Sequence, residues 1–180
     1  MRSLLHALLV GIVGAGIVHI VVLLLVPEFS EKDAWSRLAM ASDYYTMTRL
    51  EAETGGAPVV KSVDPLFQAA SCRFDLSDGI VRVKADGSVP FWSASVYDRN
   101  GHNIFSLNDS SANAGRLDLV LLTPTQMLDV RKDPPEDFQS SVFIEEPISE
   151  GIVVIRSFVP DESWRPTVSR FLEGSSCELQ

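Results

Sequence analysis

Histidine is the side chain that hydrolytic triads and most zinc sites share, and the chain has three of them. His6 and His19 fall inside a long apolar stretch, which leaves His102 for the rest of the chain. Asn100-Gly101 places His102 beside a predicted turn, and the sequence has no Gly-x-Ser-x-Gly elbow. One histidine and two distant cysteines also lack the clustering of a zinc site. We therefore expect no catalytic residue, no metal and no cofactor, and interpret the chain as a non-enzymatic protein.

Serine and aromatic side chains are the better candidates for a functional surface. Alternation along the predicted strand Phe91–Asp98 puts its serines and its tyrosine on one face, and neighbouring structure brings further polar and aromatic groups beside them. The candidate surface residues are Ser93, Ser95, Tyr97, Phe105 and Asn108. Polar groups among aromatic rings suit a ligand or partner surface, and the alternative is a plain solvent-facing side of a sheet.

The two cysteines, Cys72 and Cys177, are an even pair in a chain predicted to be exported, so a disulfide between them is permitted. Two buried free thiols are the alternative. A helix with an apolar face is expected just before Cys177, so the bond would tie that helix to an early strand.

Short alternating segments separated by turns predict the elements that position these residues. The expected strands are Ile80–Ala85, Phe91–Asp98, Asn103–Leu107, Arg116–Thr123, Ser141–Glu145 and Gly151–Phe158, in a set of about seven. Asn100-Gly101 predicts a type I′ turn between two of them. Trp164 and Val168 belong to a helical pattern over Asp161–Glu173, provided that Pro166 sits in the first turn. We expect a mainly β fold, an antiparallel β-sandwich or jelly-roll-like domain with a C-terminal helix.

The apolar stretch Leu4–Val26 contains no charged residue and is followed by Pro27-Glu28. As a helix it would span roughly 34 Å at about 1.5 Å per residue, enough to cross a hydrocarbon core of about 30 Å. A cleavable signal peptide has a shorter apolar region and a small-x-small cleavage site, so a retained anchor is favoured over that alternative. Arg2 precedes the stretch and an acidic segment follows it, which predicts a cytoplasmic N-terminus and a periplasmic remainder.

Small residues recur every four positions within this stretch. Ala7, Gly11 and Ala15 form the row, and His19 continues it. Small side chains at this spacing let a second helix approach closely, and the histidine could hydrogen-bond across the contact. We expect the anchor to associate with another membrane helix. The alternative is a lone anchor whose glycines are incidental.

The composition argues against one class of ligand, and glycine and proline residues indicate where the parts of the chain begin and end. A net charge of −9 and a pI near 4.7 argue against nucleic-acid binding, which depends on basic patches. We expect a transmembrane anchor over 1–27, a juxtamembrane helix and linker over 28–58, and a β-rich exported domain over 59–180. The juxtamembrane helix is predicted from Ser30 to about Leu50, before a Gly-Gly and Pro break.

Three segments resemble a bacterial membrane-anchored family. They are Asp64-Pro65-Leu66 with Cys72–Gly79, Phe91–Gly101, and Phe105–Asp109. Over roughly residues 27–178 the chain is similar to the domain-of-unknown-function family numbered 1254, and the late cysteine is included. The resemblance implies a short inner-membrane protein with a β-rich exported domain. It also implies a partner, because members of this family often accompany a second short membrane protein of the family numbered 1214. It implies no activity and no catalytic residue.

We therefore expect a single-pass inner-membrane protein that acts as a subunit or accessory factor of an envelope complex. The expected partner is another small membrane protein, such as one of the family numbered 1214. A periplasmic small-ligand-binding module and an unrecognised envelope hydrolase are the alternatives. A ligand module should show an apolar cavity between sheets, and an accessory subunit an exposed apolar patch. A hydrolase should converge polar groups around Ser95, Tyr97 or His102.

Overall fold

The computed structural model describes residues 2–50, 53–54, 57–59 and 64–180 of the chain. The chain begins with one long helix, α1 (Arg2–Ala41). Its apolar part, Arg2–Val26, is long enough to cross a membrane and is not buried in the protein. A signal sequence near an N-terminus can also be long and apolar enough to meet this criterion, so this observation by itself establishes an apolar helix and no more.

α1 differs from the expected pair of a membrane helix and a separate juxtamembrane helix. It continues through Pro27 and ends at Ala41, so the separate helix predicted to begin at Ser30 and its predicted course to Leu50 are both wrong. A proline removes one helical hydrogen bond and commonly kinks a helix without ending it. Beyond Ala41 the chain turns onto a sheet, where the Tyr45 N–H donates to the Arg73 carbonyl at 2.9 Å.

The rest of the chain is mainly β. Its strands are β1 (Thr48–Arg49), β2 (Glu53–Thr54), β3 (Ala57–Pro58), β4 (Phe67–Asp75), β5 (Val81–Ala85), β6 (Trp92–Asp98), β7 (Asn103–Asn108), β8 (Leu117–Leu122), β9 (Val142–Glu145), β10 (Glu150–Phe158) and β11 (Ser176–Leu179). The six strands whose bounds the sequence predicted are all confirmed to within one residue at either end. β4 and β11 were not predicted individually.

The larger strands form two sheets. Sheet A has the order β1–β4–β10–β6–β7, and every neighbouring pair is antiparallel. Sheet B has the order β11–β5–β8–β9, in which β8 and β9 are parallel. The expectation of a wholly antiparallel arrangement is therefore wrong for that pair. The parallel pairing is possible because α2 (Pro124–Lys132) lies between the two strands in the chain and provides the crossover.

One hydrophobic core takes side chains from both sheets. Sheet A contributes Phe74 and Trp92, sheet B contributes Leu119, and the C-terminal helix α3 (Arg165–Glu173) contributes Phe171. α3 confirms the helix predicted near the C-terminus, and its proline lies in the first turn, where a missing N–H costs nothing.

The predicted cysteine pair is confirmed. Cys72 in β4 and Cys177 in β11 form a disulfide, with their Cα atoms 6.4 Å apart. β11 was not predicted, and it pairs with β5 at the edge of sheet B. The bond therefore joins sheet A to sheet B, and it does so through two strands where the sequence suggested a strand and a helix.

The hairpin between β6 and β7 is confirmed, but its turn is of another type. In this turn Gly101 has a positive φ, of +86°. Among the described residues other than glycine, Tyr45 alone has a positive φ, so Asn100 does not. Asn100 therefore does not adopt the left-handed conformation that a type I′ turn requires. The Asp98 carboxylate instead caps the turn, accepting the N–H groups of Asn100 and His102 at 2.9 Å each.

Helix α2 covers one end of the outer face of sheet B. Met127 and Val130 on the helix pack with Val120 and Leu122 of β8. The sequence carried a signal for this helix that was not used, because Thr123 and the glutamine three residues later form a capping box. The other end of this face is left open by the helix.

Candidate functional site

The outer face of sheet A carries the serines expected to form a functional surface. Side chains in β6 alternate between the core and this face, as the sequence predicted. Ser93, Ser95 and Tyr97 lie half-buried on the outer face. Ser106 of β7 donates to Ser95 Oγ at 3.0 Å, and Asn103 Nδ2 donates to Ser106 Oγ at 2.9 Å. The structure thus brings a row of small polar groups together across two strands.

The other two candidate residues are placed differently. Phe105 pairs with Val96, whose side chain is fully buried, and its ring packs against the core. It therefore lies on the face opposite the serines, contrary to the expectation. Asn108 pairs with Ser93 on the outer side, but its side-chain oxygen accepts the Ser111 N–H at 3.2 Å and caps a short 3-10 helix. Of the two aromatic residues predicted for this surface, Tyr97 lies on it and Phe105 does not.

The last turns of α1 cover another part of the outer face of sheet A. Leu38 and Ile152 of β10, each 8% exposed, pack together. Trp35, Ala41 and Val154 surround them. We call these five residues the docking cluster. Because this part of α1 continues from the apolar helix, the docking cluster fixes the sheet to the end of that helix.

A buried arginine adds to the docking contact. Arg73, 6% exposed, stands opposite Ile152 on the outer face of sheet A. Its guanidinium carbon lies 5.5 Å from the ring centroid of Trp35 and 4.4 Å from that of Tyr44. Nη2 donates to the Ser42 carbonyl at 2.8 Å, while Nε has no acceptor among the described residues. The cation thus holds the helix end and the segment after it against the sheet.

Two consecutive tyrosines fasten the segment that follows α1. Tyr44 donates to Glu150 at 2.6 Å, and the same carboxylate pairs with Arg99. Tyr45 has a φ of +58°, and its hydroxyl lies 2.6 Å from Asp78 Oδ2, to which it donates. Burial and the hydrogen bond to Asp78 raise the pKa of Tyr45, so the hydroxyl keeps its proton. A left-handed tyrosine costs about 1–3 kcal/mol, which these side-chain bonds help to offset.

His102 lies in the turn of the β6–β7 hairpin, where the sequence predicted it. Its side chain is 66% exposed, and Nδ1 is 2.9 Å from Asp98 Oδ2. Although burial alone would raise the pKa of Asp98, the hydrogen bonds from His102 hold it below its ordinary value. Within the described ranges there is no group of three or more His, Cys, Asp or Glu side chains that could hold a metal ion. The hydrogen bonds between Asp98 and His102 stabilise the turn.

Comparison with known proteins gives a fold and no activity. No family model and no curated protein matches the chain. The VPA0106 protein from Vibrio parahaemolyticus has a TM-score of 0.59 at 7% identity, over 84% of this chain and 35% of that chain. An uncharacterized protein from Burkholderia cenocepacia has a TM-score of 0.46 at 12% identity, over 77% of this chain and 38% of that chain. The chain therefore spans little more than a third of either protein, and the first likeness shows a shared fold alone.

The small-residue row lies exposed along the apolar part of α1. Ala7, Gly11, Ala15 and His19 are all exposed, and a Cβ built on Gly11 would meet no atom within 4 Å.

The contacts of Arg73 were missed by sequence reasoning. Arg73 stands between Cys72 and Phe74 in a strand, so it has the pattern of an ordinary solvent-facing charge. A usable signal was the group of aromatic residues at the end of α1, Trp35 and Tyr44-Tyr45, which have no place in a simple polar linker. The rings of Trp35 and Tyr44 cover the guanidinium.

Proposed function

We propose that the chain is a single-pass inner-membrane protein, retained by α1, with a cytoplasmic N-terminus and a periplasmic β-rich domain. In this proposal the domain is a non-enzymatic subunit or accessory factor of an envelope complex. The observation that carries the proposal is that the two ends of α1 are used differently. Its last turns pack on sheet A through Leu38, whereas its apolar part, Arg2–Val26, is not buried against the described chain and has open space at Gly11. A row of small residues on an uncovered helix is the pattern of a helix that packs against another membrane helix.

We propose that the partner is a separate small membrane protein. The resemblance to the family numbered 1254 points to the family numbered 1214 as its source, and membership of the former family is part of the proposal.

A finer description of the fold belongs to the same proposal. Side chains from sheets A and B belong to one core, and the disulfide joins the two sheets. Both observations support a sandwich in which the inner faces of the sheets stack, as in a jelly-roll-like domain. The outer face of sheet A is then free for α1 and for a partner.

A pair of matched double variants tests the proposed helix contact. Gly11→Leu with Ala15→Leu fills the small-residue row, whereas Val13→Leu with Ile17→Leu places leucine at two positions on other sides of the helix and leaves the row unchanged. The tagged full-length protein would be extracted from its native membranes in mild detergent and sized by native gel electrophoresis. We expect the row variant to lose the larger complex because the added side chains block close approach.

The control variant should keep that complex at the wild-type level. Equal loss in both variants, or complexes of unchanged size in both, contradicts the proposed helix contact. A wild-type protein that migrates as a monomer contradicts the accessory role itself.

A further inference from the structure

The end of sheet B that α2 leaves open forms a groove with a volume of about 220 Å³. A groove of this size suits a small ligand. The groove is lined by Arg82, Lys84, Asp86, Asn113, Arg116, Leu117, Asp118 and Ser140. Its lining is mostly polar, and it lies on a different sheet from the serine surface suspected from the sequence.

A fixed arginine forms part of the groove. Arg82, 7% exposed, donates through Nε and Nη2 to the two carboxylate oxygens of Asp118 at 2.9 and 2.8 Å. Nη2 also donates to the Asp137 carbonyl at 2.7 Å, and the guanidinium carbon lies 5.1 Å from the ring centroid of Phe138. These contacts hold the planar group in one orientation before any ligand arrives, which lowers the entropy lost on binding.

The third nitrogen of this guanidinium is free. Nη1 of Arg82 donates to no described residue, and it is not among the buried side-chain atoms that lack a partner. Nη1 therefore keeps some contact with solvent, and Arg82 is one of the residues that line the groove.

Two further cations flank this donor. Lys84 is half-buried and Arg116 is exposed, and neither forms a salt bridge or side-chain hydrogen bond with any described residue. The lining therefore has three cationic side chains, on Arg82, Lys84 and Arg116, against two carboxylates, on Asp86 and Asp118. Because Asp118 is already engaged by Arg82, the lining has an excess of one positive charge, in a chain whose net charge is −9. Outside the lining, Glu178 of β11 pairs with Arg82 across the sheet, and the Asp137 carbonyl accepts a hydrogen bond from it.

We propose that this groove binds a small oxyanion, a carboxylate or a phosphate group, between the side chains of Arg82, Lys84 and Arg116. Guanidinium and ammonium groups recognise both kinds of anion through charge-assisted hydrogen bonds. The Asn113 and Ser140 side chains supply neutral groups at the rim. The site does not depend on the membrane partner proposed above.

The test measures the unfolding temperature of the full-length protein in detergent against inorganic phosphate and, separately, succinate, with sodium chloride keeping the ionic strength constant. The groove variant is Lys84→Gln with Arg116→Gln. The control is Lys132→Gln with Arg165→Gln, which removes the same charge from two exposed surface pairs. Arg116→Glu, a charge reversal at an exposed position, is a second groove variant in case the double variant is unstable.

We expect saturable stabilisation of the wild type and the control by at least one anion, and at least about tenfold weaker binding in both groove variants. The anion that acts identifies the phosphate or the carboxylate. No saturable effect of either anion up to about 10 mM, which covers dissociation constants near 1 mM, overturns the proposal. Equal binding by the wild type and the groove variants overturns it as well.

Discussion

Arg73→Met is the change that most directly measures how α1 is fastened to the domain. Methionine keeps most of the length and the apolar stem, and removes the charge and its donors. Two desolvated cation–π contacts contribute about 1–2 kcal/mol each, and the charged hydrogen bond to Ser42 about 1.5–3 kcal/mol. Because the buried Nε has no hydrogen-bond partner, its removal stabilises the folded state by about 1–3 kcal/mol and offsets part of this loss. We expect the free energy of unfolding to fall by about 3 kcal/mol.

The assay is urea unfolding of the full-length protein in mild detergent, followed by near-UV circular dichroism. Arg165→Met is the matched control, because that side chain is 44% exposed and forms a surface pair with Glu162. Its effect should stay within about 0.5 kcal/mol. A double-mutant cycle of Arg73→Met with Trp35→Leu should give a coupling energy of at least about 0.5 kcal/mol. An effect of Arg73→Met as small as that of the control, or strictly additive effects in the cycle, would refute this reasoning.

Three further outcomes follow from the described contacts. Asp118→Asn should cost about 3 kcal/mol at pH 7, because it leaves the Arg82 charge buried without a carboxylate. Burial alone would raise the pKa of Asp118, but its hydrogen bonds hold that pKa below the ordinary 3.8, so its stabilisation is complete above about pH 4 and fades below it. Urea unfolding between pH 3 and 7 should show this difference shrinking in acid. Serine at both Cys72 and Cys177, 105 residues apart, should lower the free energy of unfolding by about 4–5 kcal/mol in the chain-entropy model, and reductant should change only the wild type. Gly151→Ala should prevent normal folding, visible as lost soluble yield in detergent, because its Cβ would sit 2.5 Å from a phenylalanine ring carbon and from a backbone carbonyl oxygen.

Strands with one buried and one solvated face could be predicted from the sequence. In Ile80–Ala85 the residues Val81 and Val83 are fully buried while Lys84 reaches the groove, so the alternation that the pleat imposes was visible. Asn100-Gly101 likewise marked the hairpin, although the Asp98 side chain decided the turn type. These features depend on local pattern, which a single sequence contains.

The rest depends on contacts between distant parts of the chain. Phe105 turns to the core because the β6–β7 pairing shifts by one residue between Val96 and Tyr97, and a shift of one residue exchanges the two faces. Arg73 is buried because the end of α1, which lies about 30 residues before it in the chain, packs over its side chain. The groove at Arg82 depends on where α2 stops. None of these is encoded in a spacing or a propensity.

The most direct test of the central proposal is the state of the protein in its own membrane. Cell fractionation, intact-mass measurement of the extracted protein and a compartment-specific reporter fused after Gln180 would together report retention and orientation. The account predicts a membrane-bound protein that still contains the segment Leu4–Val26, with a reporter active only on the periplasmic side. A soluble, shortened protein that begins near Glu28, or a reporter active in the cytoplasm, would contradict it.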